Sequence, residues 1–157
     1  MLTIIGCGNP NRHDDGAGIE VVRRLRAAFG DRLPDDVRLF DAGTAGMDVM
    51  FQARGSRALI LIDACRSGSE PGALFEVPGS ELESRPTPSF TLHDFRWDHA
   101  LFAGRQLYGG NFPQDVTVYL IEAATLTLGV GLSAAVERSV ERTVARIQQR
   151  IEVWSHG

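Results

Sequence analysis

Hydrophobic and polar positions change period repeatedly along this chain. Residues 2–5 form a short apolar run stopped by Gly6 and Gly8, and beyond a polar loop Ala17, Val21, Val22, Leu25 and Phe29 recur at helical spacing. The pattern predicts strand, loop and helix in that order. Residues 37–40 predict a second strand ending at Asp41, and residues 44–53 a second helix with Thr44 as its cap. Residues 58–62 are apolar at every position, which marks a central parallel strand buried on both faces and closed by Asp63. Only about nine residues, with Ser-Gly-Ser and Pro-Gly among them, separate it from the apolar run 73–77. A parallel crossover needs a dozen or more, so the fourth strand should return antiparallel at an edge. Residues 78–89 are expected to be a proline-rich loop. Residues 93–108 predict a helix, with Phe95, Trp97, Leu101 and Phe102 as its apolar residues and Gly109-Gly110 as its stop. A fifth strand is predicted over residues 116–121. A long helix from about Ser133 carries Val136, Val140, Val144, Ile147, Ile151 and Trp154 on one stripe.

No repeat or compositional break interrupts this alternation, so residues 1–157 are expected to form one α/β domain. The expected architecture has three layers: a mixed, mostly parallel five-stranded sheet with one antiparallel edge strand, and helices on both faces. Hydrophobic residues make up 43% and charged residues 23%, an ordinary globular composition. The charge tally changes the picture more. All 16 residues counted as Lys+Arg are arginine, so the chain has no lysine. Schiff-base catalysis, a Ser–Lys hydrolase and a Walker A phosphate loop all need a lysine amine and are excluded.

Net charge is −4, and the arginines are scattered apart from Arg23, Arg24 and Arg26, so no nucleic-acid partner is expected. No basic region precedes the first apolar run, and no stretch approaches the roughly 18 apolar residues of a membrane span. No membrane association is therefore expected, and the expected location is the cytoplasm. The only cysteines, Cys7 and Cys65, read as reduced thiols packed as small apolar residues.

In an open α/β sheet, ligands bind beyond the carboxyl ends of the parallel strands. Acids crowd there: Asp14 and Asp15 after the first strand, Asp41 after the second, Asp63 after the third. A dinucleotide fingerprint fails, because Asn11 stands where the third glycine belongs and two acids would repel a pyrophosphate. No Gly-x-Ser-x-Gly elbow is present for an α/β-hydrolase triad. Asp14 and Asp15 could simply cap the first helix, whose positive end favours them. Asp63 has little to cap, and with Asp15 it could offer two hard oxygen ligands to one cation. His93 could complete such a site, leaving positions open for water or substrate. His99 falls on a different helix face from His93, and the two are not expected to share an ion.

Taken together, Gly6-x-Gly8-Asn9, Asp14-Asp15-Gly16-x-Gly18, Asp41-x-Gly43-Thr44-x-Gly46, Asp63-Ala64 and Gly129-x-Gly131-Leu132-Ser133 resemble the hydrogenase maturation endopeptidases. The resemblance runs over essentially the whole chain and implies a phosphorylase/hydrolase-like fold. It implies an endopeptidase that trims the C-terminus of the nickel-iron hydrogenase large-subunit precursor. The nickel would be supplied by that precursor, and Asp15, Asp63 and His93 would contact it and carry the chemistry. Asp41, Gly43 and Thr44 would shape the groove for the precursor's tail. Two departures from the family pattern stand out: Asp15 is a methylene shorter than the glutamate often found there, and Ala42 replaces a glycine.

Two other classes remain to be weighed. A magnesium-dependent receiver domain shares an acidic pair after the first strand and an Asp after the third. It needs a lysine at the end of strand five, where this chain has Glu122-Ala123-Ala124. A metal-binding module without catalysis is the other alternative; a bland binding module whose acids only cap helices would leave them clustered at one sheet edge, costly without a cation.

Overall fold

In the computed structural model, which describes residues 1–83 and 96–157, the first apolar run forms β1 (Leu2–Cys7), buried along its whole length. A short 3-10 turn (His13–Gly16) leads into α1 (Ala17–Phe29). Then follow β2 (Val37–Gly43), α2 (Gly46–Ala53), β3 (Ala58–Cys65), β4 (Leu74–Pro78), α3 (Trp97–Tyr108), β5 (Asp115–Glu122) and α4 (Ala134–His156). The strands form one sheet in the order β2-β1-β3-β5-β4. The β2–β1, β1–β3 and β3–β5 pairs are parallel. β4 pairs antiparallel with β5 at the edge, as the short connection requires. The three-layer architecture is as expected from the pattern.

Strand periodicity assigns each side chain to a face. Leu2, Ile4, Leu39, Ile60, Ile62, Tyr119 and Ile121 pack under α1 and α4, together with Val21, Leu25, Val136, Val140 and Ile147. Ile5, Cys7, Leu59, Leu61, Val116 and Val118 pack on the other face with Val49 and Met50 of α2 and Trp97 and Leu101 of α3. β3 is buried on both faces. Asp63 shares the parity of Leu59 and Leu61, so its carboxylate enters the α2/α3 layer. Asp41 shares the parity of Leu39 and falls on the opposite, α1 side.

The glycines of the first loop let backbone segments touch. A Cβ on Gly18 would lie 2.2 Å from the Ile62 carbonyl oxygen and 2.5 Å from that of Cys7. Glycine here brings the start of α1 against the ends of β1 and β3. Several boundaries differ from the sequence pattern. α2 begins at Gly46 with Ala45 before it and no side-chain cap, so Thr44 does not cap it. β3 continues two residues past Asp63, because Asp63, Ala64 and Cys65 keep pairing with Leu120, Ile121 and Glu122.

Candidate active site

A cleft of about 250 Å³ opens beyond the carboxyl ends of β1, β2 and β3, lined by Cys7, Gly8, Asp15, Gly43, Thr44, Ala45, Gly46, Val49, Asp63, Arg96 and Trp97. Four of the six site residues expected from sequence, Asp15, Asp63, Gly43 and Thr44, therefore meet at one place. Asp41 does not line it. Its carboxylate lies 3.5 Å from Arg26 of α1, on the other side of the sheet. His93 belongs to residues 84–95, outside the described residues.

Local backbone geometry explains how the cleft forms. Between Gly6–Asp41 and Cys7–Gly43 the β1–β2 register slips by one residue. Such a bulge re-aims the chain, and Gly43 then turns with φ of 57°. Its carbonyl accepts the Gly8 N–H at 2.7 Å. Gly8, at φ 124°, has Asp15 on one side and Asp63 on the other. A Cβ there would sit 1.8 Å from the Asp15 carbonyl oxygen and 3.5 Å from Asp63 Oδ1.

Asp63 is 6% exposed. Its Oδ1 accepts the Ala64 N–H at 2.8 Å, and its Oδ2 accepts the Trp97 indole N–H at 2.9 Å. Arg96 lies 3.8 Å from Oδ2. Burial, aided by the neighbouring Asp15 charge, raises the carboxyl to about 6, against the opposing pull of the Trp97 and Ala64 donors. Asp15 is half-buried, and its Oδ2 accepts the Asn9 N–H at 3.0 Å. Cys7 is almost wholly buried, and burial beside Asp63 pushes its thiol well above the ordinary range, so it lines the wall as a neutral group.

The reading of Asp14 and Asp15 as helix caps fails for both. Gly16 precedes α1 and no side chain caps the helix. Asp14 is fully buried and reaches across the fold. Its Oδ2 accepts the Ala124 and Thr125 N–H groups at 2.9 and 3.1 Å and the Ser133 hydroxyl at 2.9 Å, while Oδ1 accepts the Ser133 N–H at 2.8 Å. His13 adds to this clamp: its N–H donates to the Gly129 carbonyl at 2.9 Å, and its Nδ1 lies 3.1 Å from the Gly131 carbonyl oxygen. The first loop is thereby fastened to the β5–α4 connection. His99 accepts the Arg96 N–H at 3.3 Å through Nδ1, at the opening turn of α3.

Trp97 and Arg96 were not singled out as site residues by the sequence pattern, in which Trp97 read as an ordinary apolar helix position. The usable signal was the parity of Asp63, which aims an acid into an aromatic-bearing layer where a buried carboxylate needs a donor.

Among the described residues, no three His, Cys, Asp or Glu side chains gather closely enough to hold a metal ion. Asp15 and Asp63 form an incomplete oxygen pair, suited in chemistry to a divalent cation that brings other ligands with it. No helix among the described residues is long and apolar enough to cross a membrane.

A family model for hydrogenase maturation proteases matches residues 19–150. The chain belongs to this family. Within it, the hydrogenase 2 maturation protease of Escherichia coli K12 is 27% identical over 147 residues, covering 93% of this chain and 87% of that protein. Coenzyme F420 hydrogenase subunit delta of Methanothermobacter thermautotrophicus is 35% identical over 94 residues, covering 55% of this chain and 60% of that protein. The solved structure of the E. coli hydrogenase maturating endopeptidase HybD superposes with a TM-score of 0.77 at 24% identity, covering 96% of this chain and 91% of that one. The hydrogenase 2 maturation peptidase of a Thaumarchaeota archaeon gives 0.70 at 26% identity, covering 96% and 97%. The family match begins inside α1, so the loop carrying Asp14 and Asp15 is placed by the geometry above.

Proposed function

We propose that the protein is an endopeptidase that removes the C-terminal peptide of a nickel-loaded hydrogenase large-subunit precursor. The observation that carries this reading is the pair Asp15 and Asp63 facing one cleft at the carboxyl edge of the sheet, in a chain of the maturation protease family. In this reading nickel is part of the substrate. It arrives in the precursor, and Asp15, Asp63 and His93 contact it. Two carboxylates and an imidazole leave room in a divalent ion's coordination for the ligands that the precursor supplies. Gly43 and Thr44 form the wall along which the tail lies, while Asp41, paired with Arg26, secures the end of β2. Arg96 faces the same space and can neutralise charge that develops on the scissile carbonyl oxygen.

The reading is tested by incubating the protein with nickel-loaded and nickel-free precursor and measuring product mass. Only the loaded precursor is expected to lose its C-terminal peptide, and Asp15→Ala should block that loss. Equal cleavage of both forms would reject the role of nickel, and undiminished cleavage by Asp15→Ala would reject the site.

The buried carboxyl adds a pH signature. A divalent ion binds the ionised form, so it must displace the proton that Asp63 holds below about pH 6. The KM for loaded precursor is therefore expected to rise as pH falls below 6, approaching about tenfold per unit for one displaced proton. A KM that stays flat from pH 7.5 to 5 would contradict contact between Asp63 and the ion.

A further inference from the structure

The strongest unassigned feature of the cleft is the indole of Trp97. A carboxylate has about four acceptor sites and a broad, nearly two-fold preference about its last torsion. The Ala64 N–H fixes one oxygen of Asp63, a bond formed with the next residue of the same strand. That bond alone leaves the other oxygen free to swing. Trp97 fixes it: Nε1 donates to Oδ2 at 2.9 Å from a ring that is only 9% exposed. The ring itself is held, because Trp97 is the first residue of α3 and packs in the same cluster as Leu59, Leu61 and Leu101. Arg96 is a poor substitute, with its side chain 63% exposed and 3.8 Å away.

We propose that Trp97 is a positioning residue: its indole N–H sets the plane of the Asp63 carboxylate so that the remaining acceptor positions face the ion carried by the precursor. This rests on the reading above. Partners of ligating carboxylates commonly change affinity or activity by about 10–100-fold when removed.

Trp97→Phe keeps the aromatic wall and removes only the donor. With nickel-loaded precursor, kcat/KM is expected to fall about 10–100-fold. A kcat/KM within twofold of the wild type would overturn the proposal. A second measurement needs neither nickel nor precursor. The protein has two tryptophans, and Trp154 donates to Asp36 far from the cleft. In ¹⁵N-labelled protein, Trp97→Phe identifies the Trp97 indole signal. Asp63→Ala should then speed hydrogen exchange at that indole about tenfold or more, leaving the Trp154 signal and its exchange unchanged as a check that the fold is retained. Unchanged exchange at Trp97 would overturn the proposal. Wild-type protein that cleaves no precursor would defeat the endopeptidase reading alone, and the indole measurement would still decide whether Trp97 holds Asp63.

Discussion

Asp63→Asn is expected to abolish precursor processing while raising folding stability at pH 7 by about 2 kcal/mol. Folding lifts this carboxyl from 3.8 to about 6, chiefly because burial disfavours the charged form. Between those pH values the folded protein binds more protons than the unfolded chain. Stability therefore falls as pH rises through the window, and above pH 6 the protein carries the whole cost of a buried carboxylate. Asparagine has no charge to bury, worth about 3 kcal/mol at pH 7, and its carbonyl oxygen can still accept the Trp97 N–H. Its amide nitrogen cannot accept the Ala64 N–H, which takes back about 1 kcal/mol. The advantage of the variant should shrink as pH falls and vanish near pH 4, where wild-type Asp63 is protonated in the folded protein and about half-protonated in the unfolded chain. Urea titrations at pH 4, 5, 6 and 7 measure this directly. A variant that is less stable than wild type at pH 7, or a difference that does not change with pH, would show that burial of the charge is not what Asp63 costs the fold. Stability given up at one residue, in return for a charge in the cleft, is a common signature of a working site.

Asp14→Ala is expected to have the opposite character. Its carboxylate is fully buried and accepts from the Ala124, Thr125 and Ser133 amides and the Ser133 hydroxyl, over a sequence separation of 110 residues or more. Truncation strands several buried donors at once, for a loss of about 3–5 kcal/mol. In a chain of this length that lowers the melting temperature by on the order of 10 °C. Calorimetry of Asp14→Ala beside Asp15→Ala separates the two neighbours. Asp15 is half-buried and accepts one loop amide, so its removal should cost about 1 kcal/mol or less. Equal thermal stability for the two variants would mean that the Asp14 clamp does not hold the loops together.

These neighbouring acids show where sequence reasoning stopped. Both occupy the polar loop between β1 and α1, and nothing local distinguishes them, since each could have capped the helix. Their division of labour depends on partners far along the chain. Asp14 meets the β5–α4 connection, and Asp15 meets the cleft beside Gly8. Asp63 was more legible, because an acid interrupting a run as apolar as residues 58–62 must be buried or nearly so. Asp41 looked equivalent to it from its place after a strand. Strand parity sends Asp41 to Arg26 instead, ahead of the bulge that separates the Gly6–Asp41 and Cys7–Gly43 pairs. Trp97 shows the same limit from the other side, since its helical spacing disclosed burial but not the donor role of its indole.

The sequence by itself determined the order and type of the elements, the antiparallel edge strand and the carboxyl edge of the sheet as the place for chemistry. These follow from hydrophobic period, connection length and strand polarity, which are local properties of the chain. Tertiary structure alone decided which acids share the cleft, which one ties distant loops together and which carboxyl is raised to about 6. Those properties depend on burial and on hydrogen-bond partners many residues away, and such pairings exist only once the sheet has brought its strand ends together.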